Sequence, residues 1–165
     1  MSRIVVVSGN PRPGSRTSGL AVAVGEAVAG RTGGFPPTVV EVGELGPGLL
    51  TPGDEGTAAA VALLREAEIL VVATPTYKGS YTGVLKVLLD QLPAQALAGK
   101  VTVPVVTAGV APQAAAAEAL LRQLLTELGA TVAEGVPVVE AELPEAKAIA
   151  DRYAERWPHS DSTGR

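Results

Sequence analysis

Short apolar runs alternate along the chain with longer segments whose apolar residues recur every three or four positions. Residues 4–7 are Ile-Val-Val-Val, halted by Ser8-Gly9-Asn10-Pro11. Such a continuous β-branched run predicts a strand buried on both faces. Residues 18–29 then read as an Ala/Val/Leu helix ended by Gly30 and Gly33-Gly34. A second strand is expected over 38–42, followed by a loop over 43–53 rich in Gly and Pro and a helix over 54–67. Residues 69–73 predict the third strand, stopped at Thr74-Pro75. In the helix expected over 82–92, Leu85, Leu88, Leu89 and Leu92 fall on one face. A fourth strand over 101–107 carries Pro104, which cannot donate to a ladder and calls for a bulge or a one-sided neighbour. Residues 113–128 form a long Ala/Leu helix, 132–139 a fifth strand interrupted by Gly135 and Pro137, and 144–157 a last helix. Residues 158–165 read as a polar, frayed tail.

Five strands with helices between them imply an α/β domain with a doubly wound parallel sheet and right-handed crossovers. One such domain over 1–157 accounts for the pattern, with no repeat or linker. Sheets of this kind bind ligands outside the carboxyl ends of their strands, where strand order switches. The loops after strands one, three and four are therefore the ones to read for chemistry.

Composition narrows that chemistry. Of the 165 residues, 47% are hydrophobic and 18% charged, which suits a packed domain, and aromatics are only 3%. Acids outnumber bases 17 to 13, so a nucleic-acid partner is not expected. Cysteine is absent and His159 is the single histidine, which excludes thiolate chemistry and leaves no expected metal site. The apolar run 4–7 is too short for a signal peptide or a span, so cytoplasmic residence is expected.

The first loop, 8–18, joins a strand to a helix start and holds Asn10, Arg12, Ser15, Arg16, Thr17 and Ser18. Free N–H groups and the dipole at a helix start favour an anion, but the dipole term alone is only ~0.3–1 kcal/mol. A charge-assisted hydrogen bond adds roughly 1.5–3 kcal/mol, so several donors must converge to hold a phosphate, and this loop has them. It reads equally as an ordinary turn with a capping serine. It is neither a G-x-x-x-x-G-K-[ST] nor a G-x-G-x-x-G loop. The second loop contains Pro75, Thr76, Tyr77, Lys78, Gly79, Ser80 and Tyr81, two of the chain's three tyrosines. An aromatic there can pack on a planar ring and backbone amides can approach its polar edge, or the tyrosines can simply pack under the next helix. The third loop, Thr107-Ala108-Gly109, lets backbone pass a flat ligand, although a plain βα turn explains it as well.

These loops resemble those of the NADPH-dependent FMN reductase family, over the chain to about Leu143. The family's G-S-x-R-x-x-S-like phosphate loop matches residues 9–18, with Asn10 where serine is usual. Its P-x-Y-x-x-S-x-x-G-x-L-K segment is matched in full by Pro75, Tyr77, Ser80, Gly83, Leu85 and Lys86. Thr107-Ala108-Gly109 corresponds to its glycine-rich third loop, Ala108 replacing one glycine. The likeness is to the sulfonate-utilisation type in particular, although no aromatic lies between Gln113 and Leu128 to stack on flavin. The resemblance implies a flavodoxin-like three-layer sandwich, with a five-stranded parallel sheet in the order 2-1-3-4-5 and helices on both faces. It implies FMN as cofactor, NADPH or NADH as hydride donor to flavin N5, and delivery of reduced flavin to a monooxygenase. A homodimer or homotetramer is implied as well. By the same resemblance, Asn10, Arg12, Ser15, Thr17 and Ser18 would hold the flavin phosphate. Arg16 would reach a second phosphate, such as that of the nicotinamide nucleotide. Pro75, Thr76, Tyr77, Lys78, Gly79 and Ser80 would line the ring edge, with Thr107, Ala108 and Gly109 completing the pocket. An N–H near Lys78 or Gly79 would meet N5. No acid–base catalyst is required, and Lys86 reads as a surface cation. A quinone, azo or metal-ion reductase on the same flavin scaffold, or a flavodoxin-type electron carrier, are the alternatives.

Overall fold

The structure is a computed structural model that describes residues 2–158; His159 and the rest of the expected tail lie outside the described residues. The elements run β1 (Ile4–Ser8), α1 (Arg16–Thr32), β2 (Thr38–Glu41), α2 (Val42–Leu45), a 3-10 turn (Gly46–Leu50), α3 (Glu55–Glu66), β3 (Ile69–Pro75) and α4 (Gly83–Asp90). They continue with β4 (Val101–Ala108), α5 (Ala111–Glu127), β5 (Thr131–Val132), β6 (Val136–Val139), a 3-10 turn (Glu140–Glu145) and α6 (Ala146–Glu155). The stretch 43–53, expected as a loop, thus folds partly as helix. Pro47 sits at the start of its 3-10 turn, where a missing N–H leaves no bond unmade.

All strand pairs are parallel, in the order β2-β1-β3-β4-β5, with β6 also on β4. This is the flavodoxin-like order that the family resemblance implies. Alternate residues of each strand feed two cores. Val5, Val7, Leu70, Val72 and Val106 pack with α3, α4 and α5, whose Leu64, Leu85, Leu88, Leu89, Leu121 and Leu125 point at the sheet. Ile4, Val6, Val71, Val103, Val105, Val136 and Val138 pack on the other face with Leu20, Val24 and Val28 of α1 and Tyr153 of α6. Each large aliphatic side chain buried this way is worth roughly 1.5–3 kcal/mol. Helix faces and strand alternation therefore agree on a single three-layer arrangement. Trp157 packs the last helix down, its ring centroid 6.1 Å from that of Tyr153.

The fifth strand departs from expectation in an instructive way. It is two short strands, broken over residues 133–135, and Pro137 lies inside β6 rather than interrupting it. Val101 N donates to Glu68 O while Ala133 N donates to Thr102 O, so even-numbered β4 residues face β5 and β6. Pro104 consequently points its missing N–H at the break. The carbonyl that a donor at 104 would reach, Ala133 O, instead accepts from Arg122 Nη2 at 2.8 Å. Arg122 also donates to Val132 O and pairs with Glu118 Oε1 at 2.8 Å. Pro137, opposite Val106 in the register, faces away from β4 at the exposed edge, where proline costs no ladder bond.

Candidate functional site

The β1–α1 loop is held from both sides. Gly9 N donates to Ala73 O at 2.7 Å and Gly9 O accepts from Thr82 Oγ1 at 2.6 Å, tying the loop to β3 and to the start of α4. A Cβ at Gly9 would stand 2.8 Å from Leu85 Cβ and 2.9 Å from Ala73 O, so only glycine permits this approach. Asn10 is buried, and its Oδ1 accepts from Arg12 N at 2.9 Å, which turns the chain. Ser15 caps α1, its Oγ accepting from Ser18 N at 3.2 Å. The N–H groups of Arg16 and Thr17, in the first helical turn, take no partner among the described residues. Arg12 and Arg16 are exposed and form none of the ion pairs found among those residues.

The loop after β3 is a hairpin-like turn. Tyr77 N donates to Ser80 O at 2.9 Å and Ser80 N to Tyr77 O at 3.2 Å. The two central residues, Lys78 and Gly79, have φ of 52° and 81°. Two consecutive positive φ values mark a type I′ turn, which glycine adopts freely and lysine does not. Their N–H groups make no hydrogen bond among the described residues, and Tyr77 is 45% exposed. Tyr81 turns the other way and packs against the α3–α5 core. Lys86 pairs with Asp90 at 2.7 Å along α4, and that hydrogen bond raises its pKa above the ordinary lysine value, as suits a surface cation.

Thr107, near the end of β4, joins the two loops. Its Oγ1 lies 3.0 Å from Thr17 Oγ1, and its carbonyl accepts from Thr76 Oγ1 at 2.9 Å. Around these contacts a crevice of about 110 Å³ opens at the carboxyl edge of the sheet. Asn10, Arg12, Ser15, Arg16, Thr17, Pro75, Tyr77 and Thr107 line it, so eight residues marked out in the sequence meet in one place. Lys78, Gly79 and Ser80 form the turn beside it, Thr76 braces Thr107, Ala108 is buried beneath, and Gly109 is exposed beyond. Ser18 is not in the wall. Its hydroxyl lies 2.6 Å from Ser8 Oγ and 3.1 Å from Ser15 Oγ, and donates to Glu41 Oε2 at 3.0 Å. Glu140 and Leu143 complete the wall and escape the reading of the sequence. They follow β6, whose carboxyl end reaches the same edge, so the strand-end rule could have found them. Two larger clefts open elsewhere. One of about 630 Å³ runs along α1 to α6 and reaches the other side of the first loop, with Gly14, Ser15, Ser18 and Glu41 on its wall. The other, of about 520 Å³, lies beside α3 and α4, clear of the three loops.

Against known proteins, the chain matches the family model described as NADPH-dependent FMN reductase over residues 2–142. "FMN reductase (NADPH)" of Escherichia coli (strain K12) is 46% identical over 67 residues, which are 41% of this chain and 35% of that protein. The chain thus matches only about a third of that relative's length. "NADH-dependent FMN reductase SfnE" of Pseudomonas putida is 31% identical over 93% of this chain and 85% of its own. Among solved structures, the apo form of the NADH:FMN oxidoreductase EMOB superposes with a TM-score of 0.76 at 30% identity, covering 99% of this chain and 94% of that one. A match running through all three loops and most of the sheet makes this chain a member of the NADPH-dependent FMN reductase family.

Proposed function

We propose that the chain is an NAD(P)H-dependent FMN reductase whose crevice takes the flavin phosphate. The observation that carries this reading is the meeting of two guanidinium groups, Arg12 and Arg16, with Ser15, Thr17 and helix-start N–H groups. Among the described residues the guanidiniums have no ion pair and the N–H groups no hydrogen bond. A volume of about 110 Å³ equals roughly four waters, enough for a phosphate and far short of the ~300–1,000 Å³ of pockets that swallow a whole ligand. The donor set fits FMN for that reason: the headgroup enters the crevice, and Tyr77 with the Lys78–Gly79 turn is left to receive the ring. Bound there, the flavin supplies a ring that accepts hydride at N5 from reduced nicotinamide. The chain's own part is to neutralise the phosphate, present the free N–H groups of Lys78 and Gly79, and offer an aromatic face. Supply of reduced flavin to a monooxygenase, and a homo-oligomeric state, belong to the same proposal. Among the described residues no helix is long and apolar enough to cross a membrane.

The test is purification without added flavin, then FMN and riboflavin titrations and a steady-state NAD(P)H oxidation assay. Losing one charge-assisted hydrogen bond corresponds to roughly 10- to 150-fold in affinity. Arg12 is exposed, so Arg12→Ala is expected to weaken FMN near the lower end of that range and leave riboflavin unchanged. Equal loss for both ligands refutes the phosphate role. A flavin-loaded protein that does not oxidise NAD(P)H refutes the reductase.

A further inference from the structure

We propose that Glu41 is a positioning residue of the anion loop, holding Ser15, Arg16 and Thr17 in place from the side opposite the ligand. Glu41 ends β2, one strand over from Ser8, with which it is in register. Its carboxylate straddles the loop: Oε1 accepts from Gly14 N at 3.3 Å and Oε2 from Ser18 Oγ at 3.0 Å. Because a carboxylate only accepts, the Ser18 proton is committed to Glu41. The Ser18 oxygen is left to accept from the Ser8 and Ser15 hydroxyls, 2.6 and 3.1 Å away. One acid therefore sets the direction of three hydroxyls and ties down both ends of the Gly14–Ser18 segment. Gly14 has a φ of +68°, a conformation in which its N–H can face the acid.

A second contact points to the same bed. A Cβ at Gly43, two residues after Glu41, would run into the Pro11 carbonyl. The Glu41–Gly43 corner thus supports the loop at Pro11, Gly14 and Ser18, while Gly9 is held on the other side by β3 and α4. Glu41 is absent from the crevice wall and instead lines the larger cleft on the other side of Gly14, Ser15 and Ser18, so it touches no ligand in the crevice and acts through the loop. A negative charge close to an anion site opposes binding by itself. Loop order outweighs that repulsion, given the phosphate reading on which this role of Glu41 rests.

The experiment titrates FMN and riboflavin into the parent protein, Glu41→Ala, Glu41→Gln, Ser18→Ala and the Glu41→Ala/Ser18→Ala double variant, with thermal melts alongside. The parent binds FMN much more tightly than riboflavin. Glu41→Ala and Ser18→Ala each weaken FMN about tenfold, the equivalent of one hydrogen bond, with riboflavin within about twofold. The double variant is little weaker than either single one, because both break the same tether. Glu41→Gln, which keeps one acceptor oxygen, recovers part of the loss. Unchanged or tighter FMN binding in Glu41→Ala overturns the proposal, as do equal losses for FMN and riboflavin or multiplicative losses in the double variant. Should Glu41→Ala not fold, Ser18→Ala and Glu41→Gln decide it by the same ratio. A parent that does not prefer FMN to riboflavin overturns the phosphate reading and this inference together. A selective parent with equally selective variants overturns the inference alone.

Discussion

Replacing Thr82 by Val tests whether one hydroxyl holds the β1–α1 loop to the rest of the fold. Thr82 is buried and caps α4, its Oγ1 accepting from Leu85 N at 3.2 Å while donating to Gly9 O at 2.6 Å. Valine keeps the shape and removes both bonds. Loss of the cap costs about 1 kcal/mol. The Gly9 carbonyl, left in a buried contact without its donor, adds ~1–3 kcal/mol. The sum, about 2–4 kcal/mol, corresponds to a fall in Tm of roughly 4–16 °C for a domain of this size. Thr82→Ser keeps both bonds and loses one buried methyl, about 1 kcal/mol. Urea denaturation followed by far-UV circular dichroism and Trp157 fluorescence measures the two variants against the parent. Because Gly9 precedes Asn10 and Arg12, FMN affinity is expected to fall in the valine variant and not in the serine one. Valine and serine variants of equal stability would refute the reasoning, since the packing they alter differs far less than the hydrogen bonding.

Two further outcomes follow from the same kind of bookkeeping. Asp54 caps α3 and accepts from Thr57 N at 2.9 Å and Thr57 Oγ1 at 2.8 Å, bonds that lower its pKa below the usual carboxylate range. A depressed folded value means stability that is complete above roughly pH 4 and drains away as pH falls through the folded pKa. Asp54→Asn should therefore flatten the acid limb of a stability-against-pH curve, which urea midpoints between pH 2 and 6 would reveal. Arg122→Met removes the donor to Ala133 O and Val132 O and is expected to cost ~1–3 kcal/mol. In a Pro104→Ala background the cost should shrink, because an N–H at 104 can then reach Ala133 O; equal costs in both backgrounds would count against that substitution of roles.

The alternation of β-branched runs with apolar-faced helices was enough to specify a parallel α/β sheet, because each element's apolar period matches only one way of burying it. The loops at the carboxyl edge were legible for the same reason: Asn10, Arg12, Ser15 and Tyr77 stand directly after runs that must be buried strands, and a parallel sheet brings such ends together. What the chain did not reveal by itself is where a given side chain turns once it is there. Ser18 lies in the phosphate-loop motif, yet helix geometry swings its hydroxyl onto Glu41, a residue 23 positions away that no local pattern connects to it. Glu140 and Leu143 reach the crevice only because β6 lies on β4, and the break that frees β6 from β5 stands opposite Pro104. Periodicity is a property of neighbours in sequence, so it determined the elements, their faces and the edge of the sheet where chemistry belongs. Hydrogen-bond direction depends on neighbours in space, and so tertiary structure alone decided which residues face a ligand and which hold those residues still.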